Sequence, residues 1–271
     1  MARIISQRKL TIWISAIPLF LSIPIFGMSI YMLINSCAKM KPLPVLFFLY
    51  GLAMFVIGFF SWCGVMCKDS KCAGLPCLVM PFALLFMIGF ITFLSLVSKY
   101  SGSPEREPDR PGYVQYRFDH FSSWLRHKVS GMYTWDRVIT FIAPSGSCDD
   151  LNHTYSLSQQ LFAAHLTHIQ SGCCVPPSKC GFTFVSPTNW TAAATSNQTT
   201  AAVEGDCAKW SNDQSKLCFN CDSCRAGLLA DMRKKLIIAN IIVVVTLVVS
   251  VLVSGFMCFK CESFMDDEWD S

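Results

Sequence analysis

The chain has 271 residues, of which 52% are hydrophobic and only 15% are charged. Because a soluble domain usually carries about a quarter charged residues, this composition excludes a single soluble globule. It also excludes a disordered chain, since disorder requires low hydrophobicity. A net charge of +4 is too small to indicate nucleic-acid binding, so we expect no nucleic-acid partner.

The shortage of charge is confined to four segments that contain no Asp, Glu, Lys or Arg. A helix needs about 20 apolar residues to cross the hydrocarbon core, where no water can satisfy an exposed backbone. All four segments are longer than this, and the first also exceeds the apolar part of a signal peptide. They predict four transmembrane helices, the first of them retained. The segments are Leu10–Ala38, Pro42–Cys67, Cys72–Ser98 and Leu236–Phe259.

The connections between these segments predict the topology. Basic residues in the N-terminal tail and in the connection between spans two and three favour a cytoplasmic position for both. Against this, the connection between spans one and two and the segment Arg233–Lys235 carry basic residues on the opposite side. An even number of spans places both tails on the same side. We predict cytoplasmic tails at 1–9 and 258–271, transmembrane helices at 10–34, 44–66, 74–98 and 236–257, a small extracellular loop at 35–43, a cytoplasmic loop at 67–73, and a large extracellular loop at 99–235.

The large loop carries three N-glycosylation sequons, which begin at Asn152, Asn189 and Asn197. No sequon lies in the tails or in the short loops. Because N-glycans mark surface loops of secretory-pathway proteins, this distribution favours a lumenal or extracellular large loop. We expect a multi-pass membrane protein of the plasma membrane with both tails in the cytoplasm.

The large loop also contains an even number of cysteines, as a closed disulfide framework in an oxidising compartment requires. They are Cys148, Cys173, Cys174, Cys180, Cys207, Cys218, Cys221 and Cys224. Eight cysteines allow 105 connectivities, among which sequence cannot choose. Two alternatives stay open: a zinc site built from Cys218, Cys221 and Cys224 with His165 and His168, and a redox pair formed by Cys221 and Cys224. Because the same loop carries three sequons, which favour an oxidising compartment, we favour disulfides for these cysteines. We expect no metal, no cofactor and no catalytic residue.

Local patterns predict a mainly helical large loop. The Pro-rich segment Ser101–Gly112 should not be helical. Aromatic and apolar residues at three- and four-residue spacing predict an amphipathic helix over Tyr113–Val129. A second helix is expected over Leu157–Gln170, ending at Ser171-Gly172. The small, polar run Thr191–Thr200 should be a surface excursion.

At Ser171–Gly181 the loop reads SGCCVPPSKCG, and the chain resembles the tetraspanin family, specifically the plant tetraspanins, over nearly its whole length. The motif residues are Gly172, Cys173 and Cys174, followed by Pro176. Further matching stretches are Cys180, Phe182–Val185, Pro187–Trp190, Asp206-Cys207, Trp210, Leu217–Cys221 with Cys224, and Ser123–Leu125 before Trp135. One departure is Val175, where the plant motif usually has Lys or Arg, which puts any partner contact at that position in doubt.

The resemblance implies an all-α membrane protein with four transmembrane helices and a disulfide-stabilised large extracellular loop. It further implies a non-enzymatic scaffold that organises partner proteins into membrane microdomains. The implied partners are other tetraspanins, further membrane proteins and the surrounding lipids, and in plants the family is linked to cell differentiation and development.

Six cysteines lie near the cytoplasmic face and are candidates for S-palmitoylation, which the resemblance also implies. The alternative is a buried free thiol, because cysteine packs well as a small hydrophobe. The stronger candidates are Cys67, Cys72, Cys258 and Cys261, and the others are Cys63 and Cys77. Cys37 lies in the small extracellular loop without an evident partner.

Small residues recur at heptad spacing in the first two spans. Lipid provides no hydrophobic drive for helix association, so small residues that permit close backbone approach mark helix interfaces. We therefore predict that spans one and two pack along Ser15, Ser22 and Ser29 of the first span and Gly51 and Gly58 of the second.

Two other classes of function were weighed against a scaffold. A channel or transporter usually carries buried charges along its pathway, and the four spans contain no ionisable side chain apart from cysteine and tyrosine. A lumenal thiol oxidoreductase would need a titratable Cys221–Cys224 pair. Neither has a complete set of the residues it requires, so we predict a scaffold without enzyme activity.

Overall fold

The computed structural model describes residues 13–14, 16–27, 29–30, 42–66, 70–107, 110–143, 146–192 and 205–269. The chain divides into two compact units. The span unit comprises Met1–Ser95 and Ile238–Ser271, and the loop unit comprises Leu96–Ile237.

The span unit is helical wherever it is described. The central segments of its helices are apolar on all sides, as expected of segments surrounded by lipid or by other helices. They are α1 (Ala16–Gly27), α2 (Pro42–Met66), α3 (Ser70–Val97) and α9 (Asp222–Trp269), the last of which begins in the loop unit. Among the described residues, Asp222–Val253 of α9 is the one stretch long and apolar enough to cross a membrane, and the shorter apolar helices are Ala16–Gly27, Pro44–Phe60 and Leu84–Val97.

Small residues bring α1 directly against α2. A Cβ atom at Gly58 would lie 2.6 Å from the Leu19 backbone nitrogen, and one at Gly51 would lie 3.2 Å from Ile25 Cγ2. Ser22 is fully buried, and its hydroxyl donates to the Leu19 carbonyl at 2.7 Å. The predicted contact is therefore present at both glycines, while Ser15 lies outside the described residues.

Hydroxyl groups link α2 to α9 inside the span unit. The Tyr50 hydroxyl lies 3.0 Å from the Val243 carbonyl oxygen and 2.5 Å from the Thr246 hydroxyl. One helical turn further along α9, the Ser250 hydroxyl lies 3.3 Å from Met54 Sδ. Side-chain polar contacts of this kind stabilise helix pairs in lipid, where a polar group without a partner is costly.

The loop unit combines short helices with two antiparallel hairpins. The first hairpin pairs β1 (Glu105–Glu107) with β2 (Arg110–Gln115), and the second pairs β3 (Phe182–Ser186) with β4 (Asn189–Ala192). The helices are α4 (Ser123–Ser130), α5 (Met132–Ile142), α6 (Asp149–Thr154), α7 (Ser158–Ala163), α8 (Asp206–Lys209) and the start of α9, with 3₁₀ turns at Phe118–His120 and Ser178–Cys180. The two hairpins qualify the all-α expectation.

The predicted helix over Tyr113–Val129 is wrong. The segment begins in strand β2, passes through a 3₁₀ turn and becomes α-helical only at Ser123. Ser122 starts that helix, because its hydroxyl accepts a hydrogen bond from the Leu125 backbone N–H. The aromatic spacing has a different origin, since Tyr116 and Phe121 both pack on Tyr100, at ring distances of 5.6 and 4.8 Å.

The predicted helix over Leu157–Gln170 is interrupted. Helix α7 ends at Ala163, and a π-helical turn, Gln170–Cys174, follows after a short break. Thr167 and Gln170 form a reciprocal cap: the Gln170 side-chain oxygen accepts from the Thr167 N–H at 3.0 Å, and the Thr167 hydroxyl accepts from the Gln170 N–H at 3.2 Å. This cap starts a new helical turn, so Gly172 lies inside that turn and does not end a helix.

Candidate functional site

Four disulfides cross-link the loop unit. They join Cys148 to Cys174, Cys173 to Cys224, Cys180 to Cys207 and Cys218 to Cys221. The adjacent cysteines of the paired motif thus bond in two directions, one toward the start of α6 and the other toward α9. All eight cysteines of the loop are used in this way.

The pairing contradicts both alternative uses of these thiols. Cys221 and Cys224 belong to different disulfides, so they do not form a redox pair with each other. The same bonds remove the three sulfurs that a zinc site would require. Among the residues that the structure describes, no group of three His, Cys, Asp or Glu side chains is placed to hold a metal ion.

Glycine makes the close contact between the paired-cysteine turn and α9 possible. A Cβ atom at Gly172 would lie 2.5 Å from the Ser223 carbonyl oxygen, and one at Gly227 would lie 2.2 Å from the His168 carbonyl oxygen. The Ser223 hydroxyl donates to the Gly172 carbonyl at 3.0 Å. Cys173 and Cys224 are both fully buried at this contact. A larger residue at either glycine would separate the backbones that this disulfide joins.

Asp206 caps the start of α9. Its carboxylate accepts hydrogen bonds from the backbone N–H groups of Asp222 at 2.7 Å and Ser223 at 2.9 Å. A negative charge at a helix N-terminus satisfies otherwise unpaired N–H groups and interacts favourably with the helix dipole. Because the next residue, Cys207, is bonded to Cys180, the Asp206-Cys207 pair ties α9 to the segment after the paired cysteines.

Two buried tryptophans organise the apolar core of the loop unit. The Trp135 indole N–H donates to the Phe219 carbonyl at 2.9 Å, and the Arg225 guanidinium lies 5.3 Å from its ring. Trp190 packs against Phe162 and Phe184 at ring distances of 6.1 and 5.3 Å. Both tryptophans are therefore buried with their polar atoms satisfied, as fixed aromatic anchors require.

One histidine of the loop unit has a shifted pKa. Burial lowers the pKa of the His168 imidazole below 6.5; Asp231 acts in the opposite direction, and Lys234 lowers the pKa further. The ring packs edge-on against Tyr116 at 5.2 Å. The neutral form is thus favoured in the folded loop.

A family model described as "Tetraspanin family" matches residues 7–263. The chain belongs to the tetraspanin family. It is 39% identical to Protein TORNADO 2 of Arabidopsis thaliana over 90% of this chain and 89% of that protein. It is 36% identical to Tetraspanin-2 of the same plant over 92% and 91% of the two chains, and 32% identical to Tetraspanin-11 over 82% and 83%. No solved structure matches at a significant level.

Family membership defines the broad role of this tetraspanin. Tetraspanins have a four-span membrane fold, are generally non-enzymatic, and interact with membrane proteins and with other tetraspanins. This tetraspanin is accordingly a multi-pass membrane protein with the role of a membrane scaffold, and neither a channel nor a thiol oxidoreductase is favoured.

The structure places the predicted modification sites in different settings. The sequon residues Asn152 and Asn189 are exposed on the loop unit, and Asn197 lies outside the described residues. Cys63, on α2, is half-buried and not disulfide-bonded. Of the other acylation candidates, Cys72 and Cys77 lie on α3, Cys258 and Cys261 lie on α9, and Cys67, like Cys37 in the small loop, falls outside the described residues.

Val175 of this tetraspanin is buried, with 1% of its surface exposed. A side chain in that position contacts the interior of the loop unit and is not presented to solvent. The departure from the basic residue of the plant motif therefore changes packing at the paired cysteines.

Sequence reasoning missed the structural role of Asp206 and the tertiary role of Thr188. Asp206 had no local signal, because the N–H groups that it caps lie 16 and 17 residues further along the chain. Thr188 had none: it is 1% exposed and accepts hydrogen bonds from Asn152 and Gln214, which are distant in the sequence.

Proposed function

We propose that this tetraspanin is a non-enzymatic scaffold of the plasma membrane that gathers membrane proteins, including other tetraspanins, into lateral assemblies. By family resemblance, its assemblies would serve cell differentiation and development in a plant. Both tails are placed in the cytoplasm, and the loop unit outside the cell. The observation that carries the proposal is the match to the tetraspanin family over residues 7–263, together with a loop unit closed by four disulfides.

The loop unit supplies the recognition surface in this proposal. Its fold is fixed by the disulfides, by the Asp206 cap on α9 and by the buried Trp135 and Trp190. A surface that is already ordered loses little conformational entropy when it binds, so more of the contact energy appears as affinity. Its glycans, at Asn152, Asn189 and Asn197, would limit which faces a partner can reach.

The span unit supplies lateral contacts and a preference for particular lipids. Its helices expose large apolar side chains, such as Phe82, Leu85 and Leu252, which are 74%, 65% and 67% exposed. These suit contact with lipid or with neighbouring spans. Palmitoyl chains would bias the protein toward particular lipid environments, and the proposed acceptors are Cys67, Cys72, Cys258 and Cys261, with Cys63 and Cys77 as further candidates.

Proximity labelling in the native membrane tests this function. A labelling enzyme is fused to the C-terminal tail of the full-length protein and, as the control, to an unrelated four-span protein of the same membrane. We expect other tetraspanins and a defined set of membrane proteins to be enriched over the control. A labelled set that matches that of the control protein would overturn the scaffold proposal.

A further inference from the structure

A polar pocket opens on the loop unit between the end of α6 and the turn of the β3–β4 hairpin. Its volume is about 490 Å³, enough for a monosaccharide with part of a second. The residues that line it carry no charge. They are Asn152, Tyr155, Ser156, Ser186, Pro187, Thr188, Asn189, Asn212 and Gln214.

Hydrogen bonds between distant segments hold the walls of this pocket. The buried Thr188 hydroxyl oxygen accepts from Asn152 Nδ2 at 2.7 Å and from Gln214 Nε2 at 2.8 Å. The Asn212 side chain pairs with the Trp190 backbone through two hydrogen bonds, both of 3.0 Å. The pocket is thus formed before any ligand enters.

The pocket retains hydrogen-bonding groups that the folded chain does not use. Within the described part of the chain, no hydrogen bond is made by the side chains of Tyr155, Ser156 or Ser186. These three hydroxyls can both donate and accept, and the Tyr155 ring with Pro187 adds an apolar surface. Neutral donors and acceptors beside a flat apolar face suit a sugar, which presents hydroxyls at its rim and C–H groups on its faces.

Two of the lining residues, Asn152 and Asn189, are also sequon asparagines. The atom through which Asn152 would carry a glycan, Nδ2, is the atom that donates to Thr188 inside the pocket. Attachment forms a bond from Nδ2 to C1 of N-acetylglucosamine and breaks the bond between C1 and the pyrophosphate oxygen of a lipid-linked oligosaccharide donor. One amide proton is lost, and the lipid pyrophosphate leaves. The second N–H remains and can still donate to Thr188.

We infer that the pocket binds N-acetylglucosamine, supplied as the first sugar of the chain's own glycan on Asn152. The inference rests on the proposed extracellular position of the loop unit. Attachment at the pocket wall gives the sugar a high effective concentration, so a subsite too weak to hold a free sugar at low concentration would still be filled. The bound sugar fills the pocket and becomes part of the surface that the loop unit presents.

Site-specific deglycosylation of the native, full-length protein tests the inference. A peptide N-glycosidase active on plant glycans is applied in heavy-oxygen water, and release at each asparagine is followed by mass spectrometry. We expect release at Asn152 to be at least about tenfold slower in the folded than in the denatured protein, and Asn189 to show much less protection. Equal rates in the two states at Asn152, or protection at Asn189 instead, would contradict the inference.

Variants of the pocket residues distinguish binding of the sugar in the pocket from protection of the glycan linkage by the folded loop unit as a whole. Gln214→Ala, and the milder Tyr155→Phe, should speed release at Asn152. Gln159→Ala removes a matched exposed amide from α7, outside the pocket, and should leave the rate unchanged. Intact disulfides, mapped by mass spectrometry, report that each variant is folded. If both pocket variants release at the wild-type rate, the pocket does not hold the sugar.

A further arm distinguishes the chain's own glycan from a free saccharide. Thr154→Ala abolishes the Asn152 sequon but keeps Asn152 itself, and Thr154 does not line the pocket. Free di-N-acetylglucosamine, titrated to high concentration and followed by calorimetry, should bind this variant weakly and should not bind the glycosylated wild type. Equal binding to both would assign the pocket to an external saccharide. Absence of glycan from all three sequons would instead overturn the proposed topology, and this inference with it.

Discussion

The span unit and the loop unit of this tetraspanin are stabilised by different means. In the described residues all four disulfides lie in the loop unit, which also buries Trp135 and Trp190. The span unit is held by close glycine contacts, by hydroxyl hydrogen bonds such as that of Tyr50, and by apolar packing. Water drives apolar groups together in the first case, whereas lipid offers no such drive in the second.

This difference predicts which changes each unit can tolerate. In an oxidising compartment a domain in water can use disulfides, which stabilise it mainly by constraining the unfolded chain. A helix bundle in lipid depends instead on how closely its backbones approach. Cysteine loss should therefore damage the loop unit and leave the span unit intact, and added bulk at a glycine between two spans, such as Gly58, should do the reverse.

The largest effect is expected from removing the Cys173–Cys224 disulfide. The double change Cys173→Ala and Cys224→Ala opens a cross-link between residues 51 positions apart, and both side chains are fully buried. Loss of a native disulfide from a small extracellular domain typically costs about 2–5 kcal/mol. Thermal unfolding of the full-length protein and its delivery to the cell surface measure this loss.

Cys63→Ala is the matched control for the disulfide variant. Cys63 lies on α2 and is not disulfide-bonded. Its replacement should change neither the unfolding temperature of the loop unit nor surface delivery. Equal losses for the control and the double variant would show that the loop unit does not depend on this cross-link.

An intermediate effect is expected from Gly58→Leu in the span unit. A Cβ at this position meets the Leu19 backbone at 2.6 Å, so α1 and α2 must separate. Overpacking of a close contact costs roughly 1–3 kcal/mol. Gly89→Leu provides the control, because a Cβ at Gly89 meets nothing within 4 Å. Glycosylation and surface delivery should fall for Gly58→Leu alone, and normal delivery of that variant would disprove a required contact.

The sequence predicted the span unit better than the loop unit, for a physical reason. Both of its signals are local properties of the sequence. A charge-free segment indicates that the helix is surrounded by lipid, and a glycine such as Gly51 or Gly58 indicates room for a close contact at a helix face. In the loop unit the aromatic spacing of Tyr113–Val129 suggested one helix. The same spacing arises from a strand, a 3₁₀ turn and a helix capped at Ser122. The reciprocal cap of Thr167 and Gln170 was readable in the sequence and was missed.

Disulfide pairing and the polar pocket could not be predicted because both depend on tertiary placement. The neighbouring residues Cys173 and Cys174 bond to partners 51 and 26 positions away, in opposite directions along the chain. The pocket likewise depends on Thr188 accepting from Gln214, 26 residues further on. No local pattern encodes either arrangement, since each forms only when separate segments meet.

The smallest effect is expected from pH, and it should act on the loop unit alone. Burial lowers the pKa of His168 below 6.5, against the opposing influence of Asp231 and with a further lowering by Lys234. The folded loop favours the neutral ring, so protonation of His168 destabilises the loop unit. The stabilisation linked to His168 is complete above about pH 6.5, the pKa of histidine in the unfolded chain. It is lost as the pH falls through the lower pKa that His168 has in the folded loop. Between pH 7.5 and pH 5 the unfolding temperature of the loop unit should fall by a few degrees at most.

The variant His168→Gln should reduce that fall. The control His153→Gln, at a histidine whose side chain is 80% exposed, should not reduce it. Since the ring also packs on Tyr116, the variant will lower stability somewhat at every pH, and only the slope with pH reports protonation. An unchanged slope in His168→Gln would assign the pH dependence to other groups.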